Sequence, residues 1–205
     1  IESSLKVEVA ESFMSGLKGL IEAHNVILPE DKDVDVLTSL EARVEELEGK
    51  LEEETAEKIG KLYHQAVKTA MPILVPGATL IGGSAAPVIN GFKASFKLGR
   101  KLKGKKPTPA VWAPAASGLV LYWTGKTFSP VPPPTWVSGT NPVTVPGVPP
   151  APLIYTAMQA KTPELVASGL VAAFTTHLLS VSGIFTGPNA ASAGAPVPFP
   201  WVGVA

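Results

Sequence analysis

Seven cations stand close together in this chain: Lys93, Lys97, Arg100, Lys101, Lys103, Lys105 and Lys106. At helical spacing Lys93, Lys97, Arg100 and Lys101 share one face, opposite Val88, Ile89, Phe92 and Phe96, and the rest run on to Pro107. The chemistry available to such a strip is anion binding. Three readings stand: salt-dependent, non-specific contact with a nucleic-acid phosphate backbone, docking to an acidic partner that could be the acidic half of this same chain, and a solvated helix face. Phe92 and Phe96 read as core rather than as platforms for bases.

No constellation suited to catalysis is legible. His24, His64 and His177 lie far apart, and no H-E-x-x-H, phosphate loop or nucleophile elbow is present. The Gly82-Gly83 pair lacks the Lys-Ser/Thr of a phosphate loop and reads as a turn. Glu164 is the sole carboxylate after residue 62, which leaves paired-carboxylate chemistry there almost nothing to work with. His177, in a long apolar run, reads as a core residue. No catalytic residue, metal ligand or cofactor is assigned, and an enzyme is not expected.

The elements that carry these residues divide by charge. The formal net charge is zero, yet residues 1–62 hold 16 acidic and 7 basic side chains, and residues 63–205 hold 1 and 10. Proline divides the same way, with Pro29 alone in the first part and twenty in the second. Two segments are therefore expected, an acidic helical one over 1–60 and a basic, apolar, Gly/Pro-rich domain over 61–205. The absence of cysteine excludes disulfides and thiolate metal sites and fits a reducing compartment or a virion interior. The chain opens at Ile1 without a basic and apolar leader, so no signal peptide is expected, and either processing or a fragment of a longer chain fits that start.

In the acidic segment Leu5, Val9, Phe13 and Leu17 form the apolar face of an amphipathic helix, joined by Leu20 and Ile21, which Pro29 follows. A second helix is expected from Asp33 or Asp35. In it Leu37, Leu40, Val44, Leu47 and Leu51 are spaced as a heptad seam about two heptads long. The seam stops at Glu54 and Lys58, and Gly49 weakens the helix by about 1 kcal/mol relative to Ala. So short a seam fits a helical hairpin or a weak oligomer as well as a rod. The run Glu52–Glu54 reads as a solvated face.

Residues 1 to about 58 resemble the T4-like bacteriophage prohead core scaffolding proteins. The resemblance is carried by AESFMSGLKGL (Ala10–Leu20), by EAHNVILPEDK (Glu22–Lys32) and by the acidic run ending LEGKLEEE. It implies an internal scaffold in the prohead, within the host cytoplasm, that self-associates, supports the major capsid protein and is later cut by the prohead protease. Cleavage by that protease is implied after Glu22 and Glu53. From Lys61 onward the likeness stops, and that abrupt change is also what a join of two adjacent phage genes would produce. The remainder is only faintly like uncharacterised proteins of marine T4-like phages.

The second segment predicts helices over Lys61–Met71, Val88–Leu102, Leu153–Ala160 and Pro163–Ile184, with Pro163 and Glu164 suited to a first turn. Val111–Thr124 is helix or strand by pattern. Ile73–Pro87, Ser129–Pro152 and the tail from Pro188 read as loops, whose aromatics Phe128, Trp136, Phe199 and Trp201 are expected to dock on the domain or on a neighbour. Leu165–Phe185 is long enough to span a membrane, but its polar residues and missing anchors favour a buried helix. The fold class expected is mainly α. The function expected is a non-enzymatic phage head-morphogenesis scaffold acting by weak helix association. The alternatives are a virion structural or connector protein working through its C-terminal domain, and nucleic-acid binding through Lys93–Lys106.

Overall fold

The computed structural model describes residues 34–74, 77–102, 105–129, 140–188 and 196–205. The expected amphipathic face Leu5, Val9, Phe13 and Leu17 lies outside them, as do Trp136, Lys103 and Glu22. The described chain is predominantly α-helical, with α1 (Val34–Lys68), α2 (Ala86–Arg100), α3 (Ala113–Trp123), α4 (Ala151–Met158) and α5 (Pro163–Ser180). Five short strands accompany them: β1 (Leu80–Ile81), β2 (Thr127–Phe128), β3 (Val143–Pro146), β4 (Val181–Pro188) and β5 (Pro196–Val202).

Helix α1 is the organising element. It runs unbroken for 35 residues, so the change of composition near residues 59–62 falls inside it, and the helix expected over Lys61–Met71 is its last part. Ala56, Ile59, Tyr63 and Val67 recur at intervals of three and four and are all buried, giving one stripe toward the rest of the chain. Gly60 lies in that stripe against Ile89 and the carbonyl of Ala85, where a side chain would collide with α2. Tyr63 is the hub. Its ring meets Tyr122 and Phe174 edge-on at 5.3 and 5.2 Å, and its hydroxyl accepts a 2.8 Å bond from Trp123 Nε1. Burial pushes its pKa well above the phenol range.

Helices α2 and α3 cross where Gly91 meets Gly118. A Cβ on Gly118 would stand 2.5 Å from the Pro87 carbonyl oxygen and 3.3 Å from Gly91 Cα. Ser95, also at this crossing, accepts the Ala115 amide at 3.0 Å and satisfies one of the free N–H groups at the start of α3. The interruption of the Val111–Thr124 pattern by Pro114 is thus a helix start: a 3-10 turn (Pro109–Trp112) leads into α3 with proline in its first turn.

Three loop expectations and one helix end are corrected, since Ile73–Pro87 contains β1, which pairs antiparallel with β2. Ser129–Pro152 contains β3, and the tail contains β5; both pair with β4 in one antiparallel sheet of order β3-β4-β5. Helix α5 ends at Ser180, and Val181–Ile184 belongs to β4, because from Val181 the backbone turns extended. Proline hid the strands. In β5 the prolines alternate, with Pro196, Pro198 and Pro200 opposite Pro188, Thr186 and Ile184. The amides of Ile184 and Thr186 bond to Pro142 and Thr140 on the far side of β4. The β5 prolines therefore occupy the positions whose amides face away from β4 and lose no ladder bond. Trp201 between them is buried, donates to Asn141 Oδ1 at 2.6 Å and meets Phe128 edge-on. Phe128 is buried as well, so two of the four loop aromatics enter the core, and Phe199 is half-buried.

His177 is fully inside the fold. Its Nδ1 lies 2.9 Å from the Val148 carbonyl, and Gly147 (φ 93°) brings the turn close over the ring. Burial holds its pKa below the usual 6.5. Among the described residues no helix is long and apolar enough to cross a membrane.

Two outcomes follow. Gly118→Ala gains about 1 kcal/mol of helix propensity but forces rigid backbone apart at a cost of up to about 3 kcal/mol, so thermal unfolding should show a lower Tm. Below pH 6.5 the unfolded chain takes up a proton that buried His177 resists, so its contribution makes stability fall as pH drops from 6.5 toward the depressed folded value. His177→Asn, which retains a donor toward Val148, should flatten that part of a denaturant-midpoint profile taken from pH 7 to 5.

Candidate association surface

Helix α1 has two working faces. At about 100° per residue, Leu40, Val44, Leu47 and Leu51 centre roughly 130° around the helix from the stripe that ends in Ile59, Tyr63 and Val67. The leucine seam is turned away from the body that Tyr63 anchors. The side chains of Leu40, Val44, Leu47 and Leu51 are half-buried, and that of Leu37 lies outside the described ones.

The body-facing side of the same stretch carries charge. Arg100, at the end of α2, reaches Glu52 with Nε 2.7 Å from Oε2, in the geometry of an ion pair rather than an aligned hydrogen bond. Its Nη1 donates to the Glu45 carbonyl at 3.4 Å. Gly49 leaves room for this approach: a Cβ there would stand 3.3 Å from the guanidinium and press it back by a few tenths of an ångström. The glycine that weakens the helix is the seat of the arginine. One turn further, Lys93 lies 3.5 Å from Glu57, which Lys61 also contacts at 3.2 Å.

These pairs set the local titration. Burial raises Glu52 above the ordinary carboxylate range, against the opposing pull of Arg100. Lys61, with Lys93 behind it, lowers Glu57, and Lys50 and Arg43 lower Glu46. The Glu52–Glu54 run is therefore not uniformly a solvated face. Glu53 and Glu54 are exposed, but Glu52 is half-buried against Arg100.

The basic cluster is divided by the same geometry. Lys93 and Arg100 pair with carboxylates of the acidic helix, Lys97 is exposed at the edge of the cleft between them, and Lys101, Lys105 and Lys106 are exposed. Sequence reasoning did not single out Glu57 and read Gly49 only as a weak point of the helix, because their meaning depends on which face of α1 meets α2. It also missed an apolar groove of about 260 Å³ between the end of α1 and α5, lined by Leu62, Ala66, Val171, Phe174 and Leu178. Of the two cleavage positions implied by resemblance, Glu53 is an exposed residue inside α1. No group of three or more His, Asp or Glu side chains suited to a metal ion occurs among the described residues.

Helix α1 thus seats one face in the small helical body and carries the leucine series on another. Residues 1–73 match the model of the T4-phage like capsid assembly scaffolding protein family. The match runs past Lys61, where the likeness read from sequence stopped, and includes all of α1. Comparison with curated proteins and with solved structures gave no match.

Arg100→Met should uncover the Glu52 carboxylate and lower stability by about 1 kcal/mol, a modest figure because both groups are partly solvated. Lys97→Met, which removes an exposed cation, should leave the denaturant midpoint within experimental scatter.

Proposed function

We propose that this chain is a non-enzymatic scaffold for phage capsid assembly, working inside the prohead by weak helix–helix association. The observation that carries this reading is the family match over residues 1–73, since the matched segment contains the whole of the helix bearing the leucine seam. Leu37, Leu40, Val44, Leu47 and Leu51 are the self-association residues. Two heptads bury too little for a permanent coiled coil, and the surplus of carboxylates on α1 adds like-charge repulsion. Both suit an assembly that must form and then be dismantled. The partners on this reading are further copies of the chain and the capsid components around them. Cleavage after Glu22 and Glu53 by a prohead protease belongs to the same reading.

On this view residues 74–205 are the mount for α1. The interlocking of Gly60 with Ile89 and of Tyr63 with Trp123 supports one continuous gene product, because the packing needs both parts of the sequence. Docking of Lys93 and Arg100 on α1 favours an in-chain role for the basic cluster over a phosphate-binding one.

Val44→Asp with Leu47→Asp places two charges in the seam and should abolish self-association in sedimentation velocity. The unfolding transition of the body should be unchanged, because both residues point away from it. An unaltered sedimentation profile would remove the seam from the account.

A further inference from the structure

The leucine seam of α1 is flanked by charges of opposite sign. At about 100° per residue, Arg43 and Lys50 stand roughly 70–90° to one side of the line through Leu40, Val44, Leu47 and Leu51. Glu41 and Glu48 stand as far to the other side. In heptad terms Leu40 and Leu47 are d positions, Val44 and Leu51 a positions, the two cations g and the two carboxylates e. The cations are held on their flank by one carboxylate, since Glu46 receives Arg43 Nη1 at 3.0 Å and Lys50 Nζ at 2.6 Å. Both side chains remain 60% exposed, so a neighbouring helix can reach them.

Accepting the proposed use of the seam, we infer that its partner is the same seam of a second copy, laid parallel and in register as a two-stranded pair. In that arrangement a g residue meets the e residue of the partner's next heptad. Arg43 of each copy therefore meets Glu48 of the other, twice over by symmetry. The antiparallel arrangement joins like flanks instead. It brings Arg43 beside Lys50 and Glu41 beside Glu48, which makes four pairs of like charge. An exposed pair shifts association by about twofold, so the two arrangements differ on the order of fiftyfold at low salt. Val44 at an a position, with Leu40 and Leu47 at d, favours two strands over three or four.

The rest of α1 suits this order. The next positions in phase, Glu54 and Lys58, face their own counterparts across a parallel pair, so like charge parts the helices just past Leu51. The stripe of Ile59, Tyr63 and Val67 points about 130° away from the seam, so the two bodies are carried outward on opposite sides. Both bodies then stand at one end of the pair, which makes it polar. An antiparallel pair would present a body at each end.

The chain has no cysteine, so single cysteines report the order in the full-length protein. Leu40→Cys and Leu51→Cys chains, one carrying a mass tag, are mixed and oxidised at a concentration where they associate. Leu40 and Leu51 lie about 16 Å apart along the helix, so neither order can mimic the other. Disulfides between like positions are expected, and disulfides joining the two positions overturn the parallel order. Charge reversal tests the flanks without touching the seam. Arg43→Glu or Glu48→Arg alone should raise the association midpoint about tenfold in sedimentation at low salt. An equimolar mixture of the two should associate close to the wild-type midpoint, a rescue that mere loss of the Glu46 contact would not show. Tighter association of either variant alone, or no rescue on mixing, overturns the inference and leaves the proposed use of the seam standing. A wild-type chain that stays monomeric when crowded overturns the proposed function, and this inference with it.

Discussion

Everything described in this molecule depends on how Tyr63 is held. Its hydroxyl takes the Trp123 indole hydrogen, and its ring is clasped by Tyr122 and Phe174, so one residue of α1 binds to α3 and α5 at once. Ile59 and Val67, one turn to either side, extend that contact into a stripe. Because a straight helix has no internal freedom of rotation, fixing this stripe fixes the direction of every side chain nearer the N-terminus. The leucine seam is aimed by a hydrogen bond twelve or more residues away from it.

The ion pairs contribute differently. Arg100 on Glu52 and Lys93 on Glu57 are half-solvated and add little to stability, and they lie on the side of α1 that the Tyr63 stripe already turns toward α2. Across that contact two basic residues of the second part of the chain meet two carboxylates of the first. The sequence asymmetry is in part a recipe for self-docking.

How much of this was legible varied with the kind of signal. Helical periodicity gave α2 and the start of α5, where Pro163 and Glu164 occupy the first turn as expected and Thr162 caps it. The seam on α1 was readable as spacing. Its orientation was not, because that follows from Tyr63, a residue whose partners are 59 or more positions away. The strands were hidden for a physical reason. Proline is normally a mark against a strand, and only the pairing partner reveals that Pro198 and Pro200 fall on the side where no ladder bond is made. Similarly, Gly49 and Gly60 look alike in a sequence, yet one seats an arginine and the other admits the backbone of α2.

The alternating prolines of β5 have a consequence at high protein concentration. A sheet edge with free amides is a template for any passing strand, and crowding makes such encounters frequent. With every outward amide from Pro196 to Pro200 deleted, β5 offers a neighbouring strand acceptors but no donors over that stretch, so no full ladder can form there. On the proposed function, contact between copies is thereby left to the helices and kept from an irreversible fibrous route that no later step could undo.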